Sequence, residues 1–144
     1  MTKMIFVNLP VTSVTKAAAF YEALGFTRND MFSNEQAAAM EWSDTISVML
    51  LDTAFYATFT DKTLIDAKTT SGVLLAISRD TREDVDAITQ AAIDAGGRET
   101  RERQDMGFMY SRAFEDLDGH TWEPMFMDMA AAAEAMGKPE TVTA

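Results

Sequence analysis

Residues Met4 to Val11, MIFVNLPV, are rich in strand formers and stop near Pro10, whose missing N–H suits a strand end. Val14, Ala17, Phe20, Tyr21 and Leu24 then recur at helical spacing, with Ser13 placed to cap the start and Gly25 to end the helix. Three short strand-like runs follow, around Phe26 to Phe32, Ala37 to Trp42 and Thr45 to Leu51, separated by SNEQ and by the turn formers Ser43 and Asp44. Residues 4–51 thus read βαβββ.

Residues 52–71, DTAFYATFTDKTLIDAKTTS, hold no sustained period and read as a connector with a short helix whose aromatics fold over a core or cavity. The earlier order then returns over residues 72–128. Gly72 to Ser78 is a strand; Val85, Ile88, Ala92 and Ala95 mark one face of a helix that Thr81 caps and Gly96 and Gly97 end. Glu99 to Arg103, Phe108 to Phe114 and Thr121 to Met127 are three more strands, turned by QDMG and DLDGH. The pattern predicts an α+β domain over residues 1–128, built from two βαβββ modules. The alanine-rich tail, 129–144, is expected to form a short helix that frays.

Composition narrows the function classes. At 144 residues and 47% hydrophobic, the chain is the size of one compact domain with a substantial core. With 23 acidic against 12 basic residues the net charge is -11, which repels nucleic-acid phosphates and anionic membranes. The absence of cysteine excludes disulfides, thiol nucleophiles and zinc–thiolate clusters and fits a reducing cytoplasm. No stretch nears the roughly 18 apolar residues of a membrane span, so a cytoplasmic protein without a membrane or nucleic-acid partner is expected.

The chemistry concentrates in FEDLDGHTWEPMF, Phe114 to Phe126. Asp116, Asp118 and Gly119 are turn formers, and His120, the only histidine, is expected to face solvent from that turn. On the strand that follows, Thr121, Glu123 and Met125 share one face and Trp122, Pro124 and Phe126 the other. A carboxylate at position 123 must be paired with an arginine, metal-bound, protonated or at a wet rim, because an isolated buried charge is too costly. The inward positions of other strands are Phe6, Asn8, Met49 and Leu74, none of them a charged or imidazole ligand.

Eleven methionines and fourteen aromatics supply core and, in part, an adaptable apolar cavity whose few polar groups would be Asn8, Tyr110, Arg112 and Glu123. On the second helix, Arg82 and Asp86 have the i,i+4 spacing of an ion pair. No phosphate-binding glycine loop or nucleophile elbow is present.

Three segments, VNLPVTSVTKAAAFYEALGF at Val7 to Phe26, LLAISRDTREDVDAITQAAIDAGG at Leu74 to Gly97 and FEDLDGHTWEPMFMD at Phe114 to Asp128, resemble the vicinal oxygen chelate superfamily. It includes glyoxalase I, extradiol dioxygenases, fosfomycin-modifying enzymes and bleomycin-resistance proteins. The resemblance implies sheets that curl into an open cup, a homodimer, and in the enzymes a divalent metal held from the first, fourth, fifth and eighth strands. Those positions match Phe6, Met49, Leu74 and Glu123, so only Glu123 is kept as a ligand.

The expectation is therefore a metal-independent, cofactor-free homodimer that binds a small organic molecule. Phe6, Trp42, Met49 and Leu74 would form its walls, Asn8, Tyr110 and Arg112 its polar partners, and Glu123 its anionic anchor or weak general base. The alternative is a metal-dependent glyoxalase-like lyase or isomerase, or a dioxygenase, with further ligands at Glu41, Asp44, Asp52 or His120. A third reading is a dimeric scaffold whose cup is filled by its own side chains.

Overall fold

A computed structural model describes residues 2–137. The chain forms two compact units, one comprising the chain up to Gly72 together with Asp116–His120, the other Val73–Glu115 and the chain from Thr121. Each unit is built on one four-stranded mixed, unclosed sheet.

In the first unit the elements are β1 (Ile5–Val11), α1 (Val14–Ala23), β2 (Thr27–Asn29), β3 (Ala37–Glu41), β4 (Ile46–Asp52) and the short α2 (Thr53–Tyr56). The sheet order is β1-β4-β3-β2, with β1 parallel to β4 and the other pairs antiparallel. Ser13 caps α1 by accepting from the Lys16 N–H at 3.2 Å, and Gly25 ends it at φ +104°, a left-handed value that only glycine adopts without strain. The strand expected to run to Phe32 stops at Asn29, whose side chain accepts from the Met31 N–H and opens a 3-10 turn over Asp30–Phe32.

One face of this sheet is closed by α1. Phe20, Tyr21, Val11, Met40, Val48 and Leu50 are buried there, and Tyr21 meets Phe20 and Phe26 edge to face at 5.2 and 5.1 Å. Buried side chains of this size each contribute on the order of 1.5–3 kcal/mol, which makes this layer the main source of the unit's stability.

The second unit repeats the plan with β5 (Leu74–Ser78), α3 (Arg82–Asp94), β6 (Arg98–Asp105), β7 (Met109–Glu115) and β8 (Thr121–Met127), in the order β5-β8-β7-β6 with β5 parallel to β8. Thr81 caps α3 through the Asp84 N–H at 3.0 Å. Val85, Ile88, Thr89 and Ala92 of α3 are buried, as the 3.6-residue period requires. The tail begins as α4 (Met129–Ala135), capped by Asp128; residues 138–144 of the expected tail lie outside the described residues. Among the described residues no helix is long and apolar enough to cross a membrane.

The edge strand β6, RETRERQD, carries register shifts between Glu99 and Arg101 and between Arg101 and Gln104. Glu99 lies opposite Phe114 but Arg101 opposite Ala113, so the two side chains leave opposite faces of the sheet despite being two residues apart. That irregularity decides what Glu123 meets.

Candidate functional site

On the first sheet, the face opposite α1 carries Phe6 and Asn8 of β1, Ser47, Met49 and Leu51 of β4, and Ala39 and Glu41 of β3, because period-2 alternation sends these positions the same way. Register pairs Phe6 with Ser47, Asn8 with Met49, Ala39 with Met49 and Glu41 with Ser47. A cavity of about 520 Å³ lies on this face, lined by Met4, Phe6, Asn29, Phe32, Ala39, Glu41, Ser47 and Met49. Phe6, on the edge strand β1, is 54% exposed. A second cavity of about 290 Å³ is lined by Asn8, Leu51, Tyr56, Phe59 and Thr60, so the aromatics of the connector stand over this sheet. Of the residues expected to line a ligand cavity, Phe6, Asn8 and Met49 are thus brought together. Trp42 is not with them: it follows the parity of Met40 and meets Phe26 in a tilted ring contact at 4.9 Å.

On the second sheet, Glu123 lies opposite Ala76 on the face that also carries Leu74 and Thr121. Its Oε2 accepts from Arg101 Nη2 at 3.1 Å, and the same nitrogen donates to Ser111 Oγ at 3.3 Å. Arginine pairing is therefore the resolution of the carboxylate at this position. Arg101 was not among the expected site residues; only the irregular register of β6 brings it there.

Tyr110 and Arg112 are not brought beside Glu123. They leave the face covered by α3, where the Tyr110 hydroxyl donates to Asp86 at 2.5 Å. Arg112 is bidentate to Glu99 at 2.8 and 2.9 Å and donates to Asp86 at 2.9 Å. Hydrogen bonds from Arg112 hold the Glu99 carboxyl below its usual range. Burial acts to raise Asp86, but the bonds from Tyr110 and Arg112 prevail and lower it. Burial and the Asp86 charge push the Tyr110 phenol up, and the Glu99 carboxylate raises Arg112 further. The expected Arg82–Asp86 pair does not form. Arg82 reaches instead to Asp105 at 2.8 Å and the Gly107 carbonyl at 2.8 Å, because Arg112 claims Asp86.

The DLDGH turn belongs to the first unit and is more than a turn. Asp116 is buried; its Oδ2 accepts from the Tyr21 hydroxyl at 2.6 Å and its Oδ1 from the N–H groups of Asp118 and His120, each at 2.9 Å. Burial raises the Asp116 carboxyl above its usual range, against the lowering effect of His120 and these bonds. Asp118 Oδ1 accepts from the Thr12 N–H and hydroxyl at 2.9 and 2.7 Å. His120, expected to face solvent, is 8% exposed, and its Nε2 lies 2.7 Å from the Pro10 carbonyl. A carbonyl only accepts, so Nε2 carries the hydrogen and is not free to bind a metal.

The four positions that the resemblance assigns to a divalent metal hold a phenyl ring, a thioether, an isobutyl group and a carboxylate already bound to arginine. Such a donor set does not fit Zn, Ni, Fe or Mn. Among the described residues no three His, Cys, Asp or Glu side chains are grouped so as to hold a metal ion.

Comparison with known proteins adds the following. The model of the Glyoxalase/Bleomycin resistance protein/Dioxygenase superfamily matches residues 3–123. None of the curated proteins compared with the chain matches it. Among solved structures, a hypothetical protein from S. aureus is similar at 25% identity with a TM-score of 0.74, covering 88% of this chain and 94% of that one. A glyoxalase-related enzyme from Fulvimarina pelagi has 17% identity and a TM-score of 0.75, covering 90% and 91%. A glyoxalase/bleomycin resistance protein/dioxygenase family enzyme from Burkholderia phytofirmans has 18% identity and a TM-score of 0.71, covering 88% and 99%. At these identities the last two speak for the fold.

Proposed function

Because the chain belongs to the Glyoxalase/Bleomycin resistance protein/Dioxygenase superfamily, we propose that it is a metal-independent member that binds a small organic molecule on the open face of its first sheet. The observation that carries this reading is the cavity of about 520 Å³ walled by Met4, Phe6, Phe32 and Met49. Its volume and apolar walls, with a few polar groups at Asn29, Ser47 and Glu41, are those of a small-molecule site. Methionine walls adapt their shape to the occupant.

Glu123 enters this reading as half of an ion pair with Arg101, which also donates to Ser111, a polar contact rather than a free base. Binding without turnover is the activity that the residues support. Homodimer formation and a cytoplasmic location complete the proposal; the exposed Ile5, Val73 and Leu74 and the absence of cysteine support them.

The test is a fluorescence titration with the neutral apolar probe N-phenyl-1-naphthylamine. Saturable, stoichiometric binding that weakens about tenfold or more in Met49→Asp is expected, since that carboxylate would stand unpaired in an apolar wall. Equal binding by both proteins would refute the assignment of the site.

A further inference from the structure

Among the described residues that line the cavity of about 520 Å³, Glu41 is the one ionisable side chain. Among the described residues no arginine, lysine or histidine lines it. Glu41 stands at the end of β3 opposite Ser47, half-buried, so a cation placed there would gain a charge-assisted contact in a partly desolvated setting.

The second cavity is not remote from the first. Asn8, which lines the smaller one, is the register partner of Met49, which lines the larger. Leu51 likewise lies two residues beyond Met49 on the same face of β4. From Ser47, opposite Glu41, to Leu51, under Tyr56 and Phe59, is four residues of strand, about 13 Å. The end of this track at Tyr56 and Phe59 is aromatic and uncharged, with Asn8 and Thr60 as its polar groups. Phe59 is largely exposed and meets Phe55 edge to face at 5.1 Å, which leaves ring surface for an incoming aromatic group.

We propose that the open face of the first sheet takes one elongated, monocationic ligand, its ammonium or amidinium group at Glu41 and an aromatic group against Tyr56 and Phe59. This rests on the reading of that face as a small-molecule site and goes further by fixing the ligand's charge, its polarity along the track and its length. The connector thereby becomes a specificity element that reads the end of the ligand farthest from the charge.

The experiment is calorimetric titration with phenylhexylammonium, its neutral counterpart phenylhexanol and the short phenylethylammonium, on the wild type, Glu41→Gln and Phe59→Ala. Phenylhexylammonium is expected to bind about tenfold more tightly than phenylhexanol, and the gap should vanish in Glu41→Gln. Phe59→Ala should weaken both long probes and leave phenylethylammonium unchanged. Both substituted side chains are at least partly exposed, so the variants are expected to fold, which circular dichroism is to check before titration. Equal affinity of the two long probes for the wild type, a gap that survives Glu41→Gln, or a long-probe affinity indifferent to Phe59→Ala would each overturn the proposal. If N-phenyl-1-naphthylamine still binds in those cases, only the charge and length assignment falls; if it also fails to bind, the small-molecule site falls with it.

Discussion

Replacing Gly119 by alanine tests whether the DLDGH turn is a packed part of the first unit. Gly119 has φ +93°, and a Cβ there would meet the backbone at Lys68 N, Ala67 C and Ala67 O at 2.6, 2.7 and 2.8 Å. Gly25 has nearly the same dihedral, φ +104°, with nothing within 4 Å of its Cβ position. Both alanine variants bear the left-handed strain, about 1–2 kcal/mol. Both also gain the same small benefit from a less flexible unfolded chain, so that effect cancels between them. Only Gly119→Ala adds overpacking against backbone that cannot rotate away, about 1–3 kcal/mol more. Equilibrium urea unfolding should therefore place Gly119→Ala about 2–5 kcal/mol below the wild type and about 1–3 kcal/mol below Gly25→Ala, at unchanged m-value. Equal losses in the two variants would refute the close packing of this turn on residues 67 and 68.

Three other outcomes follow from the ionic groups. Tyr21→Phe removes the hydroxyl that donates to buried Asp116 and should cost about 1–3 kcal/mol. Because burial raises the Asp116 carboxyl, the stability it contributes is full below the usual value of 3.8 and is lost as pH rises through the higher folded value. Tyr21→Phe should thus do more damage at pH 7 than at pH 3, read from unfolding midpoints; an equal loss at both would contradict it. Arg112→Met acts with the opposite sign: Glu99 and Asp86 are lowered from 4.5 and 3.8, so their contribution is present above those values and lost as pH falls through the lower folded ones. That variant should lose about 1–2 kcal/mol near neutrality, a figure discounted for the half-exposed Asp86, and show a flatter stability profile below pH 4.5. An unchanged acid limb would count against the network. Arg101→Met strands the half-buried Glu123 carboxylate without its partner and should cost about 1 kcal/mol in urea unfolding, and no loss would place the ion pair in doubt.

Much of this architecture was legible along the chain because local rules and tertiary structure agree there. Ser13, Thr81 and Gly25 cap and stop helices as their chemistry dictates, and β8 runs over Thr121–Met127 as its alternation implies. Phe6, Asn8 and Met49 fall on one open face by parity alone. Parity also places Trp42 with Met40, so its loss from the cavity wall could have been read from the same alternation.

What stayed hidden depends on events that period 2 cannot represent. A straight strand would send Glu99 and Arg101 to the same side; the bulge in β6 sends Glu99 to Arg112 and Arg101 to Glu123. Turn composition identified DLDGH, but burial of Asp116 and His120 depends on partners about a hundred residues away, Tyr21 and Pro10. Arg82 reaches across to Asp105 rather than along its helix, where Asp86 is held by Arg112 from β7.

The central claim is binding without a metal. Its most direct test is the metal content of gently purified protein by plasma mass spectrometry, on the same sample that binds N-phenyl-1-naphthylamine and beside Glu123→Gln. The account predicts far less than one Mn, Fe, Ni or Zn per chain and probe binding unchanged by a chelator. Near-stoichiometric metal that disappears in Glu123→Gln would contradict it and make the chain a metalloenzyme.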